Sequence, residues 1–238
     1  MPSIEVNNLV KNYKNVKAVR GISFTIDSGE IFGLIGPNGA GKTTTLRILS
    51  TLLTITDGSV KIMNYDLKEK PDEIRKIISY LPEDAGAYKN LTGKEYLRFI
   101  ANFFNSKNPK QLTDEGIKIA DLGDRIKDKI DTYSKGMKRR LLVGRALMNN
   151  PRLAILDEPT SGLDVNNAQE IRNIIKNTTK DGTTVLLSSH NMLEVEYLCD
   201  RIALIEKGLI VETGKPDALM KKYNAKNIEE VFTKVVKK

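Results

Sequence analysis

The sequence predicts an α/β fold: a largely parallel sheet, helices between its strands, and one helical segment inserted into it. Three observations carry this. The apolar run Ile31-Phe32-Gly33-Leu34-Ile35 leads through Gly36-Pro37-Asn38-Gly39-Ala40-Gly41-Lys42-Thr43 into a helical stretch, a strand–loop–helix order. The apolar runs at 153–156 and 184–187 have strand length and are separated by helical sequence, as parallel pairing requires. Residues from about 84 to 140 show helical spacing (Tyr96, Phe99, Ile100, Phe103) and no strand alternation.

In chain order, the first thirty residues alternate in strand fashion, at Ile4 and Val6 and again at Ile22, Phe24 and Ile26. Asp27-Ser28-Gly29 turns the chain before the 31–35 strand, and a helix is expected over 43–53. Asp57-Gly58 reads as a turn before a strand over 60–63. Asn108-Pro109 and Gly123-Asp124 divide the helical segment. Ser134 stands where an N-cap belongs, before an amphipathic helix with Met137, Leu141, Leu142, Leu147 and Met148. Strands return at 153–156, 184–187 and 202–205, and Lys207-Gly208 reads as a hairpin turn into Leu209-Ile210-Val211. A helix over about 228–235 closes a helical tail that begins near 217. The 238 residues fit one domain, 1–238, with the 84–140 subdomain inserted.

Composition narrows the class. Forty per cent of residues are hydrophobic and 29% charged, which suits a globular protein with a sizeable core. No apolar run approaches the roughly 18 residues of a membrane span. The start, Met1-Pro2-Ser3-Ile4-Glu5-Val6, lacks a signal pattern, so a cytoplasmic location is expected. The single cysteine, Cys199, excludes an intrachain disulfide or a Cys-rich metal site and reads as core. The net charge of +8 includes the clusters Lys138-Arg139-Arg140, Lys221-Lys222 and Lys237-Lys238. Without aromatic interleaving or a recognition motif, this predicts no nucleic-acid partner. It predicts a solvated basic surface near anionic headgroups.

The chemistry lies in two motifs. Gly36 to Thr43 spells G-x-x-x-x-G-K-T, the P-loop. Its glycines let backbone N–H groups turn around phosphate oxygens, and the helix N-terminus through Thr44 adds partial positive charge. Lys42 can reach the β- and γ-phosphates of a nucleoside triphosphate, and the Thr43 hydroxyl can ligate Mg²⁺. The second motif, Leu153 to Glu158, is a buried strand ending in two carboxylates. Asp157 there can hold Mg²⁺ through water, and Glu158 can activate the attacking water.

Between these motifs lies Tyr133-Ser134-Lys135-Gly136-Met137. Its composition and its place before Asp157 make the chain resemble the ATP-binding cassette (ABC) family, whose signature is Leu-Ser-Gly-Gly-Gln. The resemblance covers essentially the whole chain. It implies a RecA-like P-loop NTPase core with an N-terminal antiparallel β subdomain and the helical insertion. It also implies that Tyr13 stacks on adenine and that Ser161-Gly162-Leu163-Asp164 signals across a dimer. His190 would contact the γ-phosphate, and Ser134 and Gly136 would hold ATP bound to a second subunit. Two departures stand out. Glu83 follows Tyr80-Leu81-Pro82 where the family has glutamine; its carboxylate keeps metal contact possible but donates no N–H bond. Lys135 and Met137 replace signature residues. Both are similar to the ABC-2 exporter branch, and Tyr80-Leu81-Pro82-Glu83-Asp84 with Ser134-Lys135-Gly136-Met137-Lys138 resembles sodium-efflux ATPases.

The resemblance thus implies an ATPase subunit that pairs with a second nucleotide-binding subunit, identical or not. A separate transmembrane permease would hold it at the inner face of the membrane. Cofactor-assembly ATPases and importers remain alternatives, since motifs do not encode direction. Chromosome-maintenance ATPases carry long coiled coils at this interval, and translation factors join two cassettes; neither pattern is present.

Overall fold

The computed structural model describes residues 2–104 and 107–237. β1 (Pro2–Tyr13) and β2 (Val16–Asp27) form a long antiparallel hairpin. β3 (Ile31–Ile35) leads through the glycine-rich loop into α1 (Lys42–Leu49). β4 (Asp57–Ile62), β5 (Tyr65–Asp66), α2 (Pro71–Ile77) and β6 (Ile78–Leu81) follow. The helical segment supplies α3 (Gly93–Ala101), α4 (Pro109–Ala120) and α5 (Lys135–Leu147). Then come β7 (Leu153–Asp157), α6 (Val165–Lys180), β8 (Thr184–Ser189), α7 (Met192–Leu198), β9 (Arg201–Glu206) and β10 (Leu209–Gly214). α8 (Pro216–Tyr223) and α9 (Ile228–Val236) end the chain.

Two sheets result. One is antiparallel, in the order β2-β1-β4-β5; the other runs β10-β9-β3-β8-β7-β6. In the second, every pair is parallel except β9–β10. β3 alternates its faces. Phe32 and Leu34 join the core shared with the antiparallel sheet and α1, where Phe32 stacks on Phe24 with centroids 5.5 Å apart. Ile31 and Ile35 join the core beneath α3 to α7 and the tail. Burial on both faces is what a parallel sheet requires.

The helical segment is built by local signals. Thr92 and Glu95 form a reciprocal capping box on α3. Asn108 caps α4, with Pro109 in its first turn, and the Ser134 hydroxyl caps α5 by accepting from Met137 N–H at 3.2 Å. α4 and α5 cross closely: a Cβ at Gly144 would lie 2.6 Å from Gly116 O. The tail is tied on by Ile228 N–H donating to Glu196 Oε1 at 2.6 Å.

Several expectations need correction. α1 stops at Leu49 rather than continuing to 53, because Thr51 turns left-handed (φ +62°) and the N–H groups of 51–53 fold back on Arg47 and Ile48. Asp57-Gly58 is not a turn. It begins β4, and Gly58 (φ +90°) sits at the register shift opposite Asn8. The turn comes at Met63-Asn64, both at positive φ, after a strand that ends at Ile62. β6 lacks a sequence signal because its four residues follow α2 without a break. Arg139, expected in a solvated cluster, is buried. Cys199 is core, as expected, one residue beyond α7.

Candidate nucleotide-binding site

Register gathers the site. Ile35 pairs with Ser189, Ser188 with Asp157, and Leu156 with Leu81, so these strands all end at one sheet edge. Ligands bind at such carboxyl ends in open α/β sheets. The loop from Gly36 through Pro37, Asn38, Gly39 and Ala40 to Gly41 leaves this edge beside β8 and β9. Gly41 takes φ +108°, and a Cβ there would lie 2.6 Å from Ala18 O on β2. Only glycine tolerates both demands. Gly41 also leaves α1 without a side-chain cap, so the first-turn amides of Lys42, Thr43 and Thr44 are open to an anion.

Lys42 is buried at the centre. Its Nζ donates to Gly36 O (2.7 Å) and Pro37 O (3.2 Å) and lies 3.3 Å from Glu158 Oε1. Glu158 is buried too. Its backbone is left-handed (φ +48°), costly for a non-glycine residue, and its N–H donates to Ser188 Oγ. Its Oε2 lies 2.8 Å from His190 Nδ1 and accepts from His190 N–H at 3.3 Å. Its Oε1 makes no hydrogen bond, its contact with Lys42 being one of charge alone. Lys42, Glu158 and His190 therefore form one line of contacts, with the histidine half-exposed at its outer end.

Asp157 organises a second cluster. Thr43 Oγ1 donates to its Oδ1 at 3.3 Å, Ser188 Oγ to the same oxygen at 2.5 Å, and Tyr80 OH to Oδ2 at 3.4 Å. Burial, with the Asp157 charge adding, pushes the Tyr80 phenol up to about 12. It stays a donor at neutral pH. Arg47 hydrogen-bonds Tyr80, and its own pKa rises as a result. These hard oxygens suit Mg²⁺, which takes few protein ligands and leaves room for phosphate and water. Among the described residues no group of three histidine, cysteine or carboxylate side chains could hold a metal unaided.

The remaining predicted residues lie outside these two clusters. Glu83 is exposed and accepts from Ser161 Oγ at 3.4 Å rather than joining Thr43 and Asp157. Tyr13 is 41% exposed at the end of the β1–β2 hairpin, whose second strand passes Gly41 at Ala18. Ser134 and Gly136 open α5 beside α6, where a Cβ at Gly136 would collide with the Asn167 carboxamide. No hydrogen bond or ion pair joins them to Lys42 or Glu158 among the described residues. A cleft of about 200 Å³ runs from Glu158 and His190 to Ser161, Gly162 and Val165. A larger cavity, about 630 Å³, lies between α4, α5 and α6 and contains none of these residues.

Sequence reasoning missed Tyr80, Arg47, Ser188 and Arg139 as site residues. Ser188 had a signal: it is polar at the end of an otherwise apolar strand. Arg139 had a subtler one, for it shares a helical face with Gly136, Leu142 and Val143.

The sequence pattern of the ABC transporter family matches residues 19–161. The chain belongs to this family. The Linearmycin resistance ATP-binding protein LnrL of Bacillus subtilis is 38% identical over 213 residues, 89% of this chain and 68% of the relative. A Fluoroquinolones export ATP-binding protein of Mycobacterium tuberculosis is 39% identical over 220 residues, 91% of this chain and 72% of the relative. The dimeric post-hydrolysis state of an ATP-binding cassette bound to ADP and Pi superposes with TM-score 0.78 at 27% identity, covering 89% of this chain and 98% of that one. As a member of the family the chain is a transporter ATPase: it binds ATP and hydrolyses it. ABC ATP-binding subunits work as dimers and with transmembrane permeases. No helix among the described residues is long and apolar enough to cross a membrane.

Proposed function

We propose that the chain energises export through a separate permease, as one of two nucleotide-binding subunits at the inner face of the membrane. The single observation that carries the chemistry is the contact line Lys42–Glu158–His190 beside the Asp157–Thr43 pair. The relatives named for resistance and export support the direction. Residues 1–238 are read as one domain, with the helical subdomain at about 84–140 and the tail at about 217–238.

The roles follow from position. Tyr13 stacks on adenine. Backbone amides of 36–44 surround the phosphates, and Lys42 exchanges its carbonyl partners for β- and γ-phosphate oxygens. Mg²⁺ would be held by Thr43 and Asp157, with Glu83 joining if it releases Ser161, and would neutralise charge between the β- and γ-oxygens. Glu158 takes a proton from water as that water attacks the γ-phosphorus, and the bond to the β-phosphate oxygen breaks to release ADP. His190 holds Glu158 through Nδ1 and presents its other nitrogen to the γ-phosphate. Ser134 and Gly136 meet the nucleotide of the partner subunit.

The test is affinity purification from detergent-solubilised membranes in which the chain is produced. Recovery of a polytopic membrane protein that accelerates ATP hydrolysis supports the transporter reading. Recovery of soluble partners only favours the cofactor-assembly alternative.

A further inference from the structure

Arg139 leaves α5 for the interior, and among the described residues it makes no ion pair there. Its five N–H donors instead meet five backbone carbonyls. Nε donates to Pro159 O (2.7 Å). One terminal nitrogen donates to Asp157 O (2.9 Å) and Glu158 O (2.8 Å). The other donates to Pro82 O (3.3 Å) and Glu83 O (3.2 Å). These carbonyls belong to two separate strand ends, those of β6 and β7. The arginine sits on the helix that Ser134 caps.

This arrangement is specific to a guanidinium. The carbonyl oxygens of Asp157, Glu158 and Pro159 converge in the interior, where unmet acceptors are costly, and those of Pro82 and Glu83 join them at its margin. A planar cation with five fixed donors answers all of them; an ammonium, with three donors on one nitrogen, does not. Burial draws the Arg139 pKa down, while the nearby carboxylates of Glu83, Asp157 and Glu158 hold it up. The strained Glu158 backbone is now fixed at every polar group. Ser188 holds its N–H, Lys42 and His190 hold its carboxylate, and its carbonyl accepts from Arg139 and from Ser161 N–H at 3.1 Å. Of these, Arg139 alone comes from the inserted helical segment.

We propose that Arg139 is a positioning residue for hydrolysis, locking the Glu83 loop and the Asp157–Pro159 strand end to the helix that presents Ser134 and Gly136. It touches neither ATP nor water. It aims Glu158, and it makes that aim depend on how α5 is seated. The inference rests on the reading of Glu158 as the base.

The experiment compares Arg139→Lys and Arg139→Gln with the unsubstituted chain. It measures ATP affinity by displacement of a fluorescent nucleotide, turnover by phosphate release, and folding by circular dichroism. Both variants are expected to keep Kd within about threefold while kcat falls at least about tenfold, a transition-state loss and not a binding loss. On a Glu158→Gln background neither should slow the residual rate further, because the residue through which Arg139 acts is already disabled. A folded variant with unchanged kcat overturns the proposal, as does a loss fully additive with Glu158→Gln. Should both variants fail to fold, the arginine Nε–H resonance of the unsubstituted chain gives the reading. Slow solvent exchange and a shift on adding a non-hydrolysable ATP analogue support the strut, and exchange as fast as a surface arginine overturns it. If Lys42→Ala hydrolyses ATP as fast as the unsubstituted chain, the functional reading fails instead, and the resonance still reports on Arg139.

Discussion

Two buried side chains of opposite charge, Lys42 and Glu158, face each other where the P-loop meets the end of β7. Burying charge is costly unless it is paired, so the pair is better explained by phosphate chemistry than by stability. Lys42→Ala should therefore cost most of the ATPase rate while leaving the chain folded; phosphate release at the unsubstituted rate would remove Lys42 from the site. It also leaves Glu158 buried without its countercharge, so a lower melting temperature is expected alongside. Tyr13 lies at the opposite extreme, exposed at a hairpin tip with Lys11 Nζ 5.1 Å from its ring centre. Stacking on a base is worth about 1–3 kcal/mol. Tyr13→Ala should accordingly raise the Kd for ATP about tenfold without lowering the melting temperature. Equal affinity by titration would place the adenine elsewhere.

Among the elements, the pairing of α4 with α5 sets where the signature residues stand. The two helices approach through Gly116 and Gly144, close enough that any Cβ at 144 presses on Gly116 O. Gly144→Val should destabilise the chain by about 1–3 kcal/mol through overpacking. It should leave ATP affinity unchanged, because the P-loop lies on β3 and α1. A Kd shift larger than the loss of stability would mean that the helical segment reaches the nucleotide within one subunit. Of the caps, Ser134 on α5 was legible in the sequence because capping is local; the Thr92–Glu95 box and the Asn108 cap emerged only with the structure, since Asn108-Pro109 reads as a simple break. The end of α1 was not legible either, since its sequence stays helix-compatible to Leu53 while the backbone turns left-handed at Thr51.

For the molecule as a whole, the separation of Ser134 and Gly136 from the Lys42 cluster has a consequence for assembly. On the proposed reading, a second subunit completes a site split this way. Glu158→Gln keeps the size of the side chain and removes the proposed general base, a role worth about 10²–10⁴ in rate. With ATP it should elute as a dimer in size-exclusion chromatography, whereas the unsubstituted chain should elute mainly as a monomer. Adding Ser134→Arg should abolish that dimer by filling the space for phosphate; persistence of the dimer would refute the head-to-tail arrangement. ATP should also raise the melting temperature of the unsubstituted chain, since ligand at 100 times Kd adds about 2.7 kcal/mol to the folded state. Lys42→Ala should show little of that rise.

What the sequence determined by itself is whatever depends on short spacing. Gly36 to Thr43, the strand ending at Asp157-Glu158, Ser134 as a cap and Lys207-Gly208 as a hairpin turn all follow from neighbours a few residues apart. Glycine, proline and a capping hydroxyl act on their own backbone. The tertiary structure decided whatever depends on chain ends meeting across the sheet. It placed β8 between β3 and β7, so that Ser188 serves both Asp157 and Glu158. It turned Tyr80 onto Asp157 and directed Glu83 to Ser161. It also took Arg139 out of a run of three basic residues and set it among carbonyls at and just beyond the ends of β6 and β7, far along the chain in both directions. Periodicity puts Arg139 on the face of α5 that carries Leu142 and Val143, but a buried cation is tolerated only where distant backbone supplies its partners, and local spacing does not say which backbone that is.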